Sequence, residues 1–368
     1  MTTRRVPFLS LTPGEDAAAV TTAIARVVAS GWFVLGPEVE AFESEFAAAS
    51  GARFAVGVGT GTDAIALILR ALGVGAGDEV ITTPLSAAYT ALAVVMTGAQ
   101  PVFADIDPVR LTLDPAAVER ALTPRTRAIL PVHLYGQGAE MSALQAVAAS
   151  RGLAIVEDCC QAHLATIAGR PAGTIGVAGA FSFYPTKNLG ALGDGGAIIT
   201  GDAALAEKVK RLRNGGQISR YHHEEAGVNS RLDEMQAAIL RARLPFLGEW
   251  TRRRRELAGL YRSALAGSTA NLLPECDPGH VYHLFAVRHQ RRNALQEYLA
   301  QQGIETLVHY PIPIPQQPAF RSLRSPSCPE ATRACEELVS LPLHPAMSND
   351  DLHAVARAVA TFPESARS

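Results

Sequence analysis

Phe181-Ser182-Phe183-Tyr184-Pro185-Thr186-Lys187-Asn188-Leu189-Gly190-Ala191-Leu192-Gly193-Asp194-Gly195-Gly196 is the stretch from which the rest of the chain is best read. An isolated lysine among aromatic, hydroxyl and glycine residues is poorly explained as surface decoration. An amine becomes a nucleophile toward an aldehyde when a desolvated pocket or a neighbouring cation lowers its pKa, and an apolar loop with few carboxylates meets the first condition. Lys187 therefore reads as a Schiff-base lysine. The ordinary alternative, a solvated lysine on a turn, yields because a phosphate-cradle pattern and a strand-end aspartate lie upstream.

Working outward, short β-rich runs at residues 54–58, 79–82, 101–104, 128–132, 153–156, 180–183 and 197–200 alternate with apolar residues at helical spacing over 63–72, 87–97, 141–150 and 203–212. Gly73, Gly98 and Gly152 stand where helices would stop. The alternation predicts an α/β fold in which a large domain carries a mostly parallel seven-stranded sheet flanked by helices. Ligands of such sheets bind at the carboxyl ends of the strands, where Asp158 and Lys187 both fall. After a helix over 231–243, Pro245 marks a break. The expected division is a large domain over 1–245, N-terminal segment included, and a smaller C-terminal α/β domain over 246–368. Within the latter, 249–265 and 291–302 read as helices, 281–288 as a strand and 310–318 as an ordered Pro-rich loop.

With 368 residues, 48% of them hydrophobic, the chain can bury one large core and a smaller lobe. A formal net charge of −2 supplies no basic excess for a nucleic acid or a membrane surface. Arg252-Arg253-Arg254-Arg255, flanked by Glu249 and Glu256, reads as a solvated helix face. Met1-Thr2-Thr3-Arg4-Arg5 opens no apolar signal region and no later run approaches a membrane span, so a cytoplasmic protein is expected. Five cysteines without regular metal spacing read as buried fillers, and no metal is expected.

Two further constellations carry chemistry. In Val58-Gly59-Thr60-Gly61-Thr62-Asp63-Ala64 a strand runs through glycines and threonines into a helix start, where backbone N–H groups, hydroxyls and the helix dipole converge as a phosphate requires. A dinucleotide turn on Gly57, Gly59 and Gly61 fails on spacing, and no acid closes the next strand. In Ala154-Ile155-Val156-Glu157-Asp158-Cys159-Cys160-Gln161-Ala162-His163 an apolar strand ends in acids. Asp158 could pair with a protonated pyridine nitrogen, keeping such a ring electron-poor; a helix N-cap is the alternative. His163 reads as a supporting histidine rather than a proton carrier.

Together these segments resemble the DegT/DnrJ family of nucleotide-sugar aminotransferases, pyridoxal-phosphate enzymes of the aspartate-aminotransferase fold (type I). The resemblance extends to Ser30-Gly31-Trp32-Phe33-Val34-Leu35-Gly36-Pro37, Pro131-Val132-His133-Leu134-Tyr135-Gly136, Asn229-Ser230-Arg231-Leu232-Asp233 and His309-Tyr310-Pro311. It implies pyridoxal 5'-phosphate as cofactor, passing through pyridoxamine phosphate, with Lys187 as Schiff-base lysine and Asp158 as partner of the pyridine nitrogen. Gln161 would neighbour the ring's phenolic oxygen, and Gly61, Thr62 and Ser182 would hold the phosphate. Asn229 would reach that phosphate from the other subunit of a homodimer; a helix cap beside a surface arginine is the alternative for Asn229 and Arg231. Tyr184, Arg231, His309 and Tyr310 would face the substrate. The implied reaction is transamination of a nucleotide-linked keto-deoxysugar by an amino acid, L-glutamate first. The segment 303–311 leans toward a C-3 rather than a C-4 ketone, and a non-catalytic cofactor-binding regulator is the rival. Three positions depart from the family: Ala87 where an aromatic often stacks on the ring, Leu164 where glycine is common, and Cys159-Cys160 in place of smaller residues. They bear on substrate fit.

Overall fold

The computed structural model describes residues 5–323 and 325–363; most of the Met1–Arg5 stretch and residues 364–368 lie outside it. The main sheet is built from β1 (Phe54–Val58), β2 (Glu79–Thr82), β3 (Gln100–Phe103), β4 (Thr126–Leu130), β5 (Ala154–Asp158), β6 (Ala178–Ser182) and β7 (Gly196–Thr200). Each lies within two residues of its expected position. Their order is β1-β7-β6-β5-β4-β2-β3, and β7 alone runs antiparallel to its neighbours. Six strands therefore share a direction, and their carboxyl ends open on one edge.

Side chains two apart along each strand face the same side. Ile81, Ile129, Ile155 and Ile199 meet Phe42 and Phe46 of α2 (Pro37–Ala49). Val80, Leu130, Val156 and Ile198 meet Ile65, Ile68 and Leu69 of α3 (Gly61–Ala71) on the opposite side. A sheet covered on both faces explains why its strands read as near-continuous apolar runs.

The sequence reading left α1 (Ala17–Ser30) and α2 undetected. The start of α2 is capped from a distance: Glu234, at the head of α8 (Glu234–Arg243), accepts from Gly36, Glu38 and Val39 N–H at 2.8–2.9 Å. That helix begins at Glu234 rather than at 231. Pro245 sits in a single 3-10 turn, Leu244–Phe246, which joins α8 to α9 (Leu247–Ala264).

The smaller lobe packs α9, Arg292–Gln301 and Asn349–Ala360 on an antiparallel three-stranded sheet of Asn271–Leu272, Phe285–Arg288 and Leu338–Leu341. Three expectations are corrected here. The strand read over 281–288 starts only at Phe285, because Val281 and His283 N–H donate to the Gly136 and Tyr135 carbonyls and Tyr282 N–H to His280 Nδ1 instead. Val6, read with the large domain, is buried in this lobe's core and donates to Gly303 O at 2.9 Å. The arginine run is not uniformly solvated: Arg254 is only 5% exposed, since a 3.6-residue period turns one of four consecutive residues inward. Among the described residues no helix is long and apolar enough to cross a membrane.

Candidate active site

The alternation of β6 delivers the lysine. Phe181 and Phe183 turn into the core, meeting Phe42 and Phe46 edge-on at 5.1–5.3 Å. Ser182, between them, turns to the other side and lines a cavity of about 580 Å³ at the carboxyl ends of the strands. The loop that follows is tied down by backbone bonds from Lys187 N to Tyr184 O (2.8 Å) and from Ala191 N to Phe183 O (2.7 Å). Gly190 packs so closely that a Cβ would stand 2.5 Å from Pro185 O, and Arg243 Nη1 donates to Gly190 O at 2.6 Å. Lys187 thereby enters the cavity, its Nζ with no hydrogen-bond or ion-pair partner among the described residues. Three imidazoles feel its charge. Burial first, and Lys187 second, hold His163 down to about 3, His309 to about 4 and His283 well below the ordinary histidine value.

At one end of the cavity α3 begins. Thr60 Oγ1 caps it by accepting from Asp63 N at 3.0 Å, which leaves Gly61 N–H and Thr62 N–H without partners among the described residues. A Cβ on Gly61 would stand 2.7 Å from both Cys160 Sγ and Ser182 Cβ, and one on Gly196 would stand 2.4 Å from the Thr60 carbonyl. Both glycines are required by close approach, not by an unusual φ. The Asn229-Ser230-Arg231 turn reaches this loop through its middle residue: Ser230 Oγ accepts from Gly59 N (3.0 Å) and donates to Asp63 Oδ2 (2.8 Å).

Asp158 closes β5 itself and lines the cavity while only 4% exposed. Its Oδ1 accepts from Cys160 N at 3.0 Å, a turn contact, and no helix starts there for it to cap. Its Oδ2 accepts from Thr90 Oγ1 at 2.8 Å. Gln161 also lines the cavity, its amide set by Tyr135 N–H (2.7 Å) on Oε1 and by donation from Nε2 to Tyr310 OH (3.0 Å).

The cavity thus gathers Gly61, Thr62, Asp158, Gln161, Ser182, Tyr184 and Lys187. Tyr310 stands one hydrogen bond away, and His309 is near enough to feel Lys187. Asn229 and Arg231 are not brought in by their own chain: Asn229 is exposed and paired by its backbone with Asn214, whose side chain accepts from Arg231. Sequence reading missed Ser86, Thr90, Cys160 and Asp194, which also line the site. The signal for Ser86 and Thr90 was position, since they follow β2 at its carboxyl end. Ala87 and the exposed Tyr89 share that wall. Leu164 adopts φ 58°, the left-handed region where glycine is at ease, so this chain holds a β-carbon where the backbone disfavours one.

Behind Asp158, His133, Glu157 and Cys159 place one potential ligand atom each within 4.8 Å of one another. The His133 and Glu157 atoms are already engaged. Ala139 N–H donates to His133 Nδ1, so His133 Nε2–H donates to Glu157, which also accepts from Gly173, Ile175 and Gly176 N–H at 2.6–2.8 Å. Burial pushes the Glu157 carboxyl up, but the His133 contact and these N–H groups outweigh it and hold it below its ordinary value. The His133–Glu157 pair is a brace under β5.

An unpartnered lysine, a hydrogen-bonded strand-end carboxylate and two free N–H groups at a helix start fit pyridoxal 5'-phosphate, and with this fold they define a pyridoxal-phosphate aminotransferase of fold type I. The chain belongs to the DegT/DnrJ/EryC1/StrS aminotransferase family, which matches residues 15–360. It is 49% identical to a "dTDP-3-amino-3,4,6-trideoxy-alpha-D-glucose transaminase" of Streptomyces venezuelae, over 98% of this chain and 97% of that one. It is 46% identical to a "Pleiotropic regulatory protein" of Geobacillus stearothermophilus, over 92% of each chain. A "dTDP-3-amino-3,6-dideoxy-alpha-D-galactopyranose transaminase" of Aneurinibacillus thermoaerophilus is 45% identical, over 92% of this chain and 94% of that one. Among solved structures, S. venezuelae DesV in complex with a ketimine intermediate superposes with a TM-score of 0.94 at 49% identity, covering 97% of this chain and 98% of that one.

Proposed function

We propose that this protein transfers an amino group from an amino acid, L-glutamate, to the C-3 ketone of a nucleotide-linked keto-deoxysugar, acting in the cytoplasm as a homodimer with shared active sites. The observation that carries this reading is the single cavity into which Lys187, Asp158 and the start of α3 converge. Two relatives named for 3-amino sugars support the position of the ketone.

Pyridoxal phosphate supplies an electron-poor ring that stabilises negative charge at the carbon losing its proton. Gly61 and Thr62 N–H groups, with the Thr62 and Ser182 hydroxyls, are the donors for its phosphate. Asp158, steadied by Thr90 and Cys160 N–H, is set to accept from the ring N–H, and Gln161 to stand beside the phenolic oxygen. Lys187 Nζ takes the α-proton from the donor and later delivers a proton to the sugar carbon. Tyr184, Arg231, His309 and Tyr310 are assigned to substrate contact. Exposed Trp32, Phe33 and Tyr221 support a partner subunit, as does Asn229, which lies outside its own cavity.

The rival, a non-catalytic cofactor-binding regulator, would keep the same lysine and carboxylate but form no amine product, so turnover separates the two readings. The deciding experiment incubates holoenzyme with L-glutamate and matched dTDP-linked 3-keto and 4-keto deoxysugars, with product mass and NMR as readout. Amine at C-3 is expected. Amination of the 4-keto sugar alone would move the assignment to C-4, and no amine from either would remove it.

A further inference from the structure

Lys187 also lines a second cavity, of about 410 Å³, which shares no other lining residue with the cofactor site. Its mouth is the exposed N-terminal segment at 10–15, one wall is the lysine loop from Pro185 to Gly190, and Trp250, Arg254 and His344 close it. Arg254 has no carboxylate within ion-pair reach among the described residues. Its Nη1 donates to carbonyls of Leu343 (2.9 Å), Tyr282 (3.3 Å) and His283 (3.4 Å), while Nε is buried without a partner and Nη2 donates to nothing described. His344, 7% exposed, likewise leaves Nδ1 unpartnered. The two carboxylates in the wall are committed elsewhere: Asp16 accepts from Arg243 Nε (2.7 Å) and Glu15 from Trp250 Nε1 (2.7 Å). Burial draws Arg254 down to about 10, which leaves it cationic at neutral pH.

A buried guanidinium without a counter-ion is costly to keep, and the unused Nη2 of a cavity-lining arginine is a charged donor that a carboxylate can engage. We infer that this cavity binds a small carboxylate, with Arg254 as its counter-ion. With Lys187 committed to the cofactor in the holoenzyme, Arg254 is the one uncommitted cation among the described lining residues, and beside Glu15 and Asp16 it suits a monoanionic headgroup better than a phosphate dianion. The carboxylate has two sources. It belongs to the amino donor or its 2-oxo acid, which rests on the function proposed above, or to a free carboxylate metabolite that binds outside turnover.

Trp250 lines the cavity, and Trp32 is the other tryptophan of the chain. Holoenzyme carrying Trp32→Phe therefore reports on this cavity through Trp250 fluorescence. Titration with acetate and with 2-oxoglutarate is expected to give saturable changes, and inorganic phosphate a far weaker one. Arg254→Met weakens the carboxylate response about tenfold or more, whereas Arg254→Lys keeps most of it. Because Arg254 also ties three carbonyls, Gly14→Leu is the companion variant: nothing lies within 4 Å of a Cβ at Gly14, so it crowds the mouth without disturbing the guanidinium. It should abolish the response with an unchanged melting temperature. A rise in KM for L-glutamate alone in Arg254→Met identifies the donor as the source; unchanged KM values with a lost fluorescence response identify an outside carboxylate. No saturable response to either carboxylate, or equal responses in folded wild-type and Gly14→Leu proteins, overturns the site. Failure of the proposed function would show instead as absent amine product, a readout that the titration does not use.

Discussion

Lys187 owes its chemistry to an amine that forms no ion pair among the described residues and to three neutral imidazoles near it. Lys187→Ala should lower turnover by roughly 10²–10⁴-fold while the protein stays folded, because a proton carrier is lost and the phosphate donors remain. Lys187→Arg should fail equally, since a guanidinium stays protonated; wild-type rates in either variant would refute the assignment. Asp158→Asn keeps both hydrogen bonds possible but removes the charge opposite the ring N–H, so each half-reaction should slow by roughly a hundredfold or more. Stopped-flow spectra with L-glutamate alone read this, and an unchanged rate would leave Asp158 as a turn cap. His163 supplies a pH prediction. Burial and then Lys187 hold it at about 3, against 6.5 for a free imidazole. The unfolded chain therefore binds more protons between these values, and stability falls as pH drops through that window. The cost grows by roughly 1.4 kcal/mol per pH unit below 6.5. Urea midpoints at pH 7.5 and 5.5 should separate, and His163→Gln, which can still donate to Ser182 O, should narrow the gap.

At the scale of elements, the site depends on how closely three of them approach. β7 passes the start of α3 so tightly that Gly196 has no room for a methyl group. Gly196→Ala should push the Thr60–Gly61 peptide away and forfeit a phosphate hydrogen bond of about 1.5–3 kcal/mol. Cofactor affinity, measured by equilibrium dialysis, should fall tenfold or more while the main-sheet circular dichroism holds. The opposite face of the sheet sets β6: Phe46 packs on Phe42, Phe181 and Phe183 with ring centroids 5.1–5.5 Å apart. Phe46→Ala should cost roughly 3–5 kcal/mol of unfolding free energy. An effect below about 1 kcal/mol would mean that α2 does not brace the strand bearing the lysine loop.

At the scale of the molecule, Asn229 is exposed, outside its own cavity, and tied to the α3 start only through Ser230. If it completes the partner's phosphate site, an inactive Lys187→Ala chain mixed with an inactive Asn229→Asp chain should regain part of the activity. One site of each mixed dimer then inherits neither defect. Confirmed subunit exchange without recovery would place Asn229 elsewhere. The seven strands and the lysine, aspartate and glycine-threonine motifs were legible in the residues, because period-2 burial, helix stops and chemistry-bearing loops are local patterns. So was their meeting point, since parallel strands end on one edge. Thr90, the cap that Glu234 places on α2, Val6 in the smaller lobe's core and the inward turn of Arg254 were not legible. Each depends on a contact between segments far apart in the chain. Local sequence sets which conformation a segment prefers and which side chains can do chemistry; only tertiary packing decides which polar groups find partners and which, like Lys187 and Arg254, have no counter-ion among the described residues.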